Sequence, residues 1–232
     1  MEHSSKQYDL DLEAVRSRVL LMGGLVEKQF RDAMTAFLTG DVELAEKVMR
    51  NDEEVNRLEV SLDSICTHLI VKRQPAANDL RTVMATTKVI TDLERIGDEV
   101  TKIARSAKNI QSLDTLNINF YKAIKAIGGH AARMLHDALD AFARMDRDLA
   151  IRLIGLDAVI DHEFHEMMRN LITYMAEEPK TVSASLDILW AAKAIERVGD
   201  HSTNIAEYVI YVVEGKDIRH TDYTSLFPER PI

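Results

Sequence analysis

The second half of this chain repeats the first. At an offset of 105 residues, Gly23-Gly24 matches Gly128-Gly129, Asp32-Ala33 matches Asp137-Ala138, and Ala36-Phe37 matches Ala141-Phe142. Asp41 then matches Asp146, Leu44-Ala45 matches Leu149-Ala150, and Asp52 matches Asp157. After a three-residue deletion the offset is 102, where Glu94-Arg95 matches Glu196-Arg197 and Gly97-Asp98 matches Gly199-Asp200. Thr101, Ile103 and Ala104 match Thr203, Ile205 and Ala206 at the same offset. Chance does not hold register over about 80 residues. The chain is therefore built from two similar units, and what one half folds into constrains the other.

Each unit reads as three helices. Apolar residues recur at helical spacing through Leu12, Val15, Val19, Met22, Val26, Phe30, Ala33 and Phe37. That stripe stops at Gly40-Asp41, where Asp41 suits the N-cap of a second helix ending near Pro75. A third helix starts near Asn78-Asp79 and runs to about Ile110. Gln111–Asn117 reads as a linker. A fourth stripe follows, then Asp146 as a cap, a fifth helix ending at Pro179, and a sixth from about Thr181 to Glu214. Only 9 Gly and 4 Pro occur in 232 residues, so long stretches lack breakers. The expected fold is all-α: two tandem three-helix bundles related by internal duplication. The first repeat covers 9–110, the second covers 117–214, and 215–232 forms an irregular C-terminal tail.

Charge and composition exclude several functions. The formal net charge of −9 repels phosphate backbones, which argues against nucleic acid as a partner. Cys66 is the single cysteine, so neither an intrachain disulfide nor a cysteine zinc site is expected. The N-terminal stretch does not resemble a signal peptide, and no apolar run is long enough to span a bilayer. A reducing cytoplasm is the expected compartment.

The repeated string Glu-Arg-Ile/Val-Gly-Asp carries the chemistry. Glu94 and Asp98, like Glu196 and Asp200, stand four apart and share one helix face. A cation between two such carboxylates removes their repulsion and takes their oxygens as ligands. The preceding helix offers Asp157 and Asp161 in the second unit, and Asp52 and Asn56 in the first. Asn204, one turn beyond Asp200, adds a carbonyl oxygen; its counterpart Lys102 is expected to neutralise Glu94 and Asp98 instead. With 38 acids in the chain, roughly six i,i+4 acidic pairs arise by chance, so only the duplication makes these notable. Gly97 and Gly199 sit in mid-helix at a cost of about 1 kcal/mol relative to Ala. Either tight helix packing or a bound cluster accounts for them. Gly23-Gly24 and Gly128-Gly129 read as helix-crossing points. His162 and His165, near Asp161, read as solvated or half-buried rather than as ligands. Cys66, Met34, Met134, Met167 and Met168 read as core, and Trp190 as either core or an interface anchor. No helical Glu stands three residues before a His, which argues against a ferritin-like di-iron centre.

The paired segments ERIGDEVTKIA and ERVGDHSTNIAEYVIY, with MGGLVEKQ, KRQPAANDLR and VEGKDIRHT, closely resemble the PhoU family of phosphate-specific transport accessory proteins. The resemblance spans nearly the whole chain. It implies two three-helix bundles, with acidic E/D-x-x-x-D motifs that carry iron or zinc clusters in some members. It also implies a regulator that couples the ATPase subunit of a phosphate ABC transporter to a sensor histidine kinase and restrains the phosphate-starvation regulon when phosphate is plentiful. Such a protein is expected to be a homodimer, cytoplasmic and peripheral to the inner membrane through its partners, and not an enzyme. Asp52, Glu94, Asp98, Asp157, Asp161, Glu196 and Asp200 fall on the family's acidic positions, and Asn56 departs from them. All-oxygen sites favour iron, Mg²⁺ or Mn²⁺ over zinc. The competing reading, from the carboxylates alone, is a carboxylate-bridged helical bundle with oxidase or hydrolase activity.

Overall fold

The computed structural model describes residues 2–110 and 118–219. The linker assigned to 111–117 and the tail beyond 219 lie outside the described residues. Those residues contain seven α-helices and no strand: α1 (Glu2–Thr39), α2 (Val42–Arg73), α3 (Asn78–Asn109), α4 (Ile118–Arg144), α5 (Arg147–Ile154), α6 (Asp157–Glu177) and α7 (Val182–Glu214). The caps fall where the sequence puts them. Asp41 accepts from the Leu44 amide at 3.0 Å and Asp146 from the Leu149 amide at 2.9 Å. The start of α3 is different in kind: Ala77 precedes it at φ 44°, and no side chain caps it. Gly215 ends α7 in the left-handed region at φ 72°.

α3 and α7 form the spine. α3 and α7, each about 48 Å long, pack on one another more extensively than any other pair. They run antiparallel, because partners rise along one as they fall along the other: Asn109 with Asp187, Glu99 with Arg197, Asp92 with His201, and Arg81 with Tyr211. α1 and α2 pack on α3, while α4, α5 and α6 pack on α7. α1 and α4 close the other side of the body. Gly23 faces Leu139 and Gly128 faces the Met34 side chain, so both glycines permit this crossing. Their neighbours Gly24 and Gly129 meet nothing within 4 Å, so the crossing does not explain them.

The helix expected before Pro179 is two helices. The Gly155 amide is shared between the Ile151 and Leu153 carbonyls, and the Leu156 amide bonds Leu153 at 2.9 Å. This three-residue tightening, beside an exposed Leu156, ends α5 and starts α6 at Asp157. The corresponding Arg50-Asn51 lies inside an unbroken α2.

Cys66 is buried, as are Met34, Met134 and Met167. Trp190 is 61% exposed, which removes the core reading for it. No described helix is long and apolar enough to cross a membrane.

Candidate metal centre

In the second unit, α6 carries Asp157 and Asp161, and α7 carries Glu196 and Asp200. One oxygen each from Asp161, Glu196 and Asp200 lies within 4.8 Å of the others. That spread fits a single ion bound at about 2.0–2.6 Å from each oxygen. Glu196 is buried and the other two are half-buried. Burial, then the Glu196 and Asp157 charges, push the Asp200 carboxyl up to about 6. Asp157 is raised by burial and by Asp161, against the opposing influence of the Thr203 hydroxyl. Gly199 brings the helices together here: a Cβ on it would stand 3.1 Å from Ile160 Cδ1 and 3.8 Å from Asp157 Oδ1.

Lys193 joins this group, and sequence reasoning missed it. Its ammonium lies 2.6 Å from Glu196 Oε1 and 5.3 Å from the centre of the Phe164 ring. It stands three residues before Glu196, a spacing that was open to inspection. Lys102 behaves contrary to expectation: it pairs with Glu99 at 2.8 Å rather than with Glu94 or Asp98. The unit with a resident lysine is therefore the second, and the expectation for the first is corrected.

In the first unit, α2 and α3 gather a larger acidic set. Glu94 is raised by burial, then by Asp98, Glu59 and Asp52. Asp52 is raised by burial and by Asp98, with Asn56 opposing. Glu59 is raised by burial, Asp63 and Asp98. Mutual influence of this kind places Asp52, Glu59, Asp63, Glu94 and Asp98 in one neighbourhood, with Arg95 opposing the rise at Glu94 and Glu59. Asp98 and Asn56 are exposed, whereas Asp52 is buried with its Oδ1 lacking a hydrogen-bond partner among the described residues. Glu59 and Asp63 repeat the Asp52/Asn56 spacing seven residues on. The duplication hides them, because their counterparts in the second unit are Phe164 and Met168.

Asn204 is engaged elsewhere. Its amide nitrogen donates to Asp92 Oδ1 at 3.0 Å, and His201 Nδ1 contacts the same oxygen at 2.7 Å. It belongs to the α3–α7 seam rather than to the Glu196–Asp200 group. His162 and His165 are exposed, and His165 Nδ1 pairs with the Asp161 carbonyl at 2.7 Å.

The donor sets are carboxylate oxygens, joined in the first unit by the amide of Asn56. Such sets suit hard ions. An unpartnered buried oxygen on Asp52 and carboxyls raised by burial and then by one another's charge fit a cation.

Comparison with known proteins places these observations in a family. Residues 19–107 and 124–209 each match the family model described as "PhoU domain". A phosphate-specific transport system accessory protein PhoU homolog of Pseudomonas aeruginosa PAO1 is 44% identical over 98% of this chain and 93% of its own length. The phosphate-specific transport system accessory protein PhoU of Escherichia coli K12 is 43% identical over 94% of this chain and 90% of its own. The crystal structure of PhoU from P. aeruginosa superposes with a TM-score of 0.87, covering 90% of this chain and all of that one. A phosphate transport system regulatory protein PhoU from Streptococcus pneumoniae gives 0.85 at 26% identity, covering 90% of this chain and 98% of its own.

Proposed function

The chain belongs to the PhoU family, and from that membership we propose that it is the non-enzymatic accessory regulator of a phosphate-specific transport system. In this reading it couples the ATPase subunit of a phosphate ABC transporter to a sensor histidine kinase. It restrains the phosphate-starvation regulon when phosphate is plentiful. It works in the cytoplasm, as a homodimer, at the membrane face of its partners. The observation that supports this is end-to-end kinship: relatives named as phosphate-specific transport system accessory proteins PhoU or their homologs share 43–46% of residues over at least 94% of this chain.

The two carboxylate groups hold hard divalent cations in this proposal. Asp157, Asp161, Glu196 and Asp200 hold one, and Asp52, Glu94 and Asp98, with Glu59 and Asp63 beside them, hold the other. Iron, Mn²⁺ and Mg²⁺ rank above zinc, since no thiolate or imidazole contributes. A cation supplies charge neutralisation that ties α6 to α7 and α2 to α3. The metalloenzyme alternative has only the same carboxylates in its favour.

Deletion of the gene tests the regulatory role. Phosphate-scavenging genes should be derepressed in phosphate-rich medium and restored by complementation; unchanged expression in the deletion strain would sink it.

A further inference from the structure

The two units also differ in how their first two helices pack. α1 and α2 pack along much of their length, whereas α4 and α6 touch over a shorter stretch. The break at Gly155-Leu156 separates α6 from α5 and frees it from the line that α2 keeps. Between α4 and α6 lies a groove of about 490 Å³. Its floor is apolar: Phe120, Ile127 and Met167 are all nearly fully buried.

The residues that line it are those an open groove needs. Ala123 and Ala126 form the α4 wall, where the first unit has Arg18 and Leu21. On the α6 wall, Glu163 and Asn170 replace Leu58 and Ile65, which pack onto the core in the first unit. Among the described residues, every charged residue lining the groove is a glutamate: Glu163, Glu166 and Glu177. Glu163 is held by His130 at 2.9 Å, and Phe120 meets Tyr174 with ring centroids 5.4 Å apart. From Glu163 to Glu177 the α6 wall is about 21 Å long, the length of about four helical turns.

We propose that this groove docks an amphipathic helix of a partner protein, with apolar anchors at i, i+3/i+4 and i+7 and basic residues along its flanks. The apolar floor takes the anchors, and Met167 adapts its flexible thioether to them. The glutamates select the basic flank and speed encounter. Cytoplasmic segments beside transmembrane helices carry an excess of Lys and Arg, so a transport-system accessory protein meets such sequences routinely. That identification of the partner class rests on the function proposed above; the groove and its charge do not.

The full chain is tested by fluorescence anisotropy at 150 mM salt with a labelled 15-residue helix built from Leu and Lys in amphipathic order. Counterparts with Gln or Glu in place of Lys serve as controls. The Leu/Lys helix should bind, and binding should weaken at least about tenfold in Ala126→Trp, which fills the groove, and in the Glu166→Lys/Glu177→Lys pair. The Glu53→Lys/Glu54→Lys pair makes the same change in net charge on exposed α2 positions and should stay within about twofold. Unchanged affinity in both groove variants overturns the proposal, and so does an equal loss in the α2 pair. A Leu/Gln helix that binds as tightly also overturns it. Dissociation of a dimer by Ala126→Trp, seen by sedimentation, would assign the groove to a second copy instead. Circular dichroism checks that Ala126→Trp folds, and the surface charge pair carries the test if it does not. Peptide binding requires neither phosphate nor transporter, so its failure leaves the regulatory reading standing, and the reverse holds too.

Discussion

Asp52 Oδ1 lies 2.9 Å from the point a Cβ on Gly97 would occupy. The bare Cα lets a buried carboxylate on α2 rest against α3 at the residue just before Asp98. Gly97→Ala gains about 1 kcal/mol of helix propensity but drives a methyl into that carboxylate and to 3.4 Å from Val55 Cγ1. We expect a net loss of about 1–3 kcal/mol in urea unfolding. Gly199→Ala crowds the mobile end of Ile160 at 3.1 Å, with Asp157 Oδ1 in ordinary contact at 3.8 Å, and should lose less. Gly24→Ala meets nothing and should stabilise by up to about 1 kcal/mol. A Gly97→Ala protein as stable as its parent would remove the close-approach account.

Asp200 titrates at about 6 in the folded chain against 3.8 for an ordinary aspartate, so folding favours its protonated form. The stability it contributes is complete below about pH 3.8 and is lost as pH rises through about 6. Asp200→Asn abolishes this dependence. The variant should therefore gain on the metal-free parent between pH 4 and 7, by about 1–3 kcal/mol at pH 7. Thermal melts of both proteins in chelator across that range measure the difference. A flat difference curve would show that neither burial nor the Glu196 and Asp157 charges raise this group.

Much of this could be read in the sequence, and the exceptions share a cause. Asp41 and Asp146 were legible as caps because capping depends on four consecutive residues. The paired acidic positions were legible because i,i+4 spacing and duplication reinforce one another. The Gly155 break was not, since a lone glycine in an apolar stripe also occurs in continuous helices. Asn204 was misplaced because its partner, Asp92, is 112 residues away and has Ala194 as its repeat counterpart. Lys102 was misassigned because a lysine on a helix reaches several neighbours, and Glu99, three residues back, holds it. Duplication reveals what the units share and conceals Glu59, Asp63, Lys193 and the α4–α6 groove, in which they differ.

The Asp92–His201–Asn204 group ties the two units at the α3–α7 seam. Asp92 and His201 are both buried, and one oxygen of Asp92 serves both partners. Asp92→Ala leaves a buried imidazole and a half-buried amide without their acceptor, at a cost of about 2–4 kcal/mol. His201→Ala alone should cost comparably, and the double variant less than the sum. A coupling of about 1–3 kcal/mol in a double-mutant cycle is the expected result. Strict additivity would show that the two side chains do not act as a pair.

Asn56 is the one position of the first carboxylate group that lacks its acid, and it lies beside Asp52. Asn56→Asp adds a fifth negative charge to the four of Asp52, Glu59, Glu94 and Asp98, with Asp63 a turn beyond. In chelator the added repulsion should lower the melting temperature, because burial and neighbouring charges already raise Glu94 and Asp52. With Mn²⁺ or Fe²⁺ under anaerobic conditions the order should reverse. The variant should bind more tightly than the parent by calorimetry and melt higher. The reversal is diagnostic, since a merely disruptive substitution lowers the melting temperature with and without metal. Glu94→Gln provides the complement: it relieves repulsion in chelator and removes a ligand in metal, so its two shifts should carry the opposite signs. Equal shifts with and without Mn²⁺ in both variants would mean that these carboxylates hold no cation.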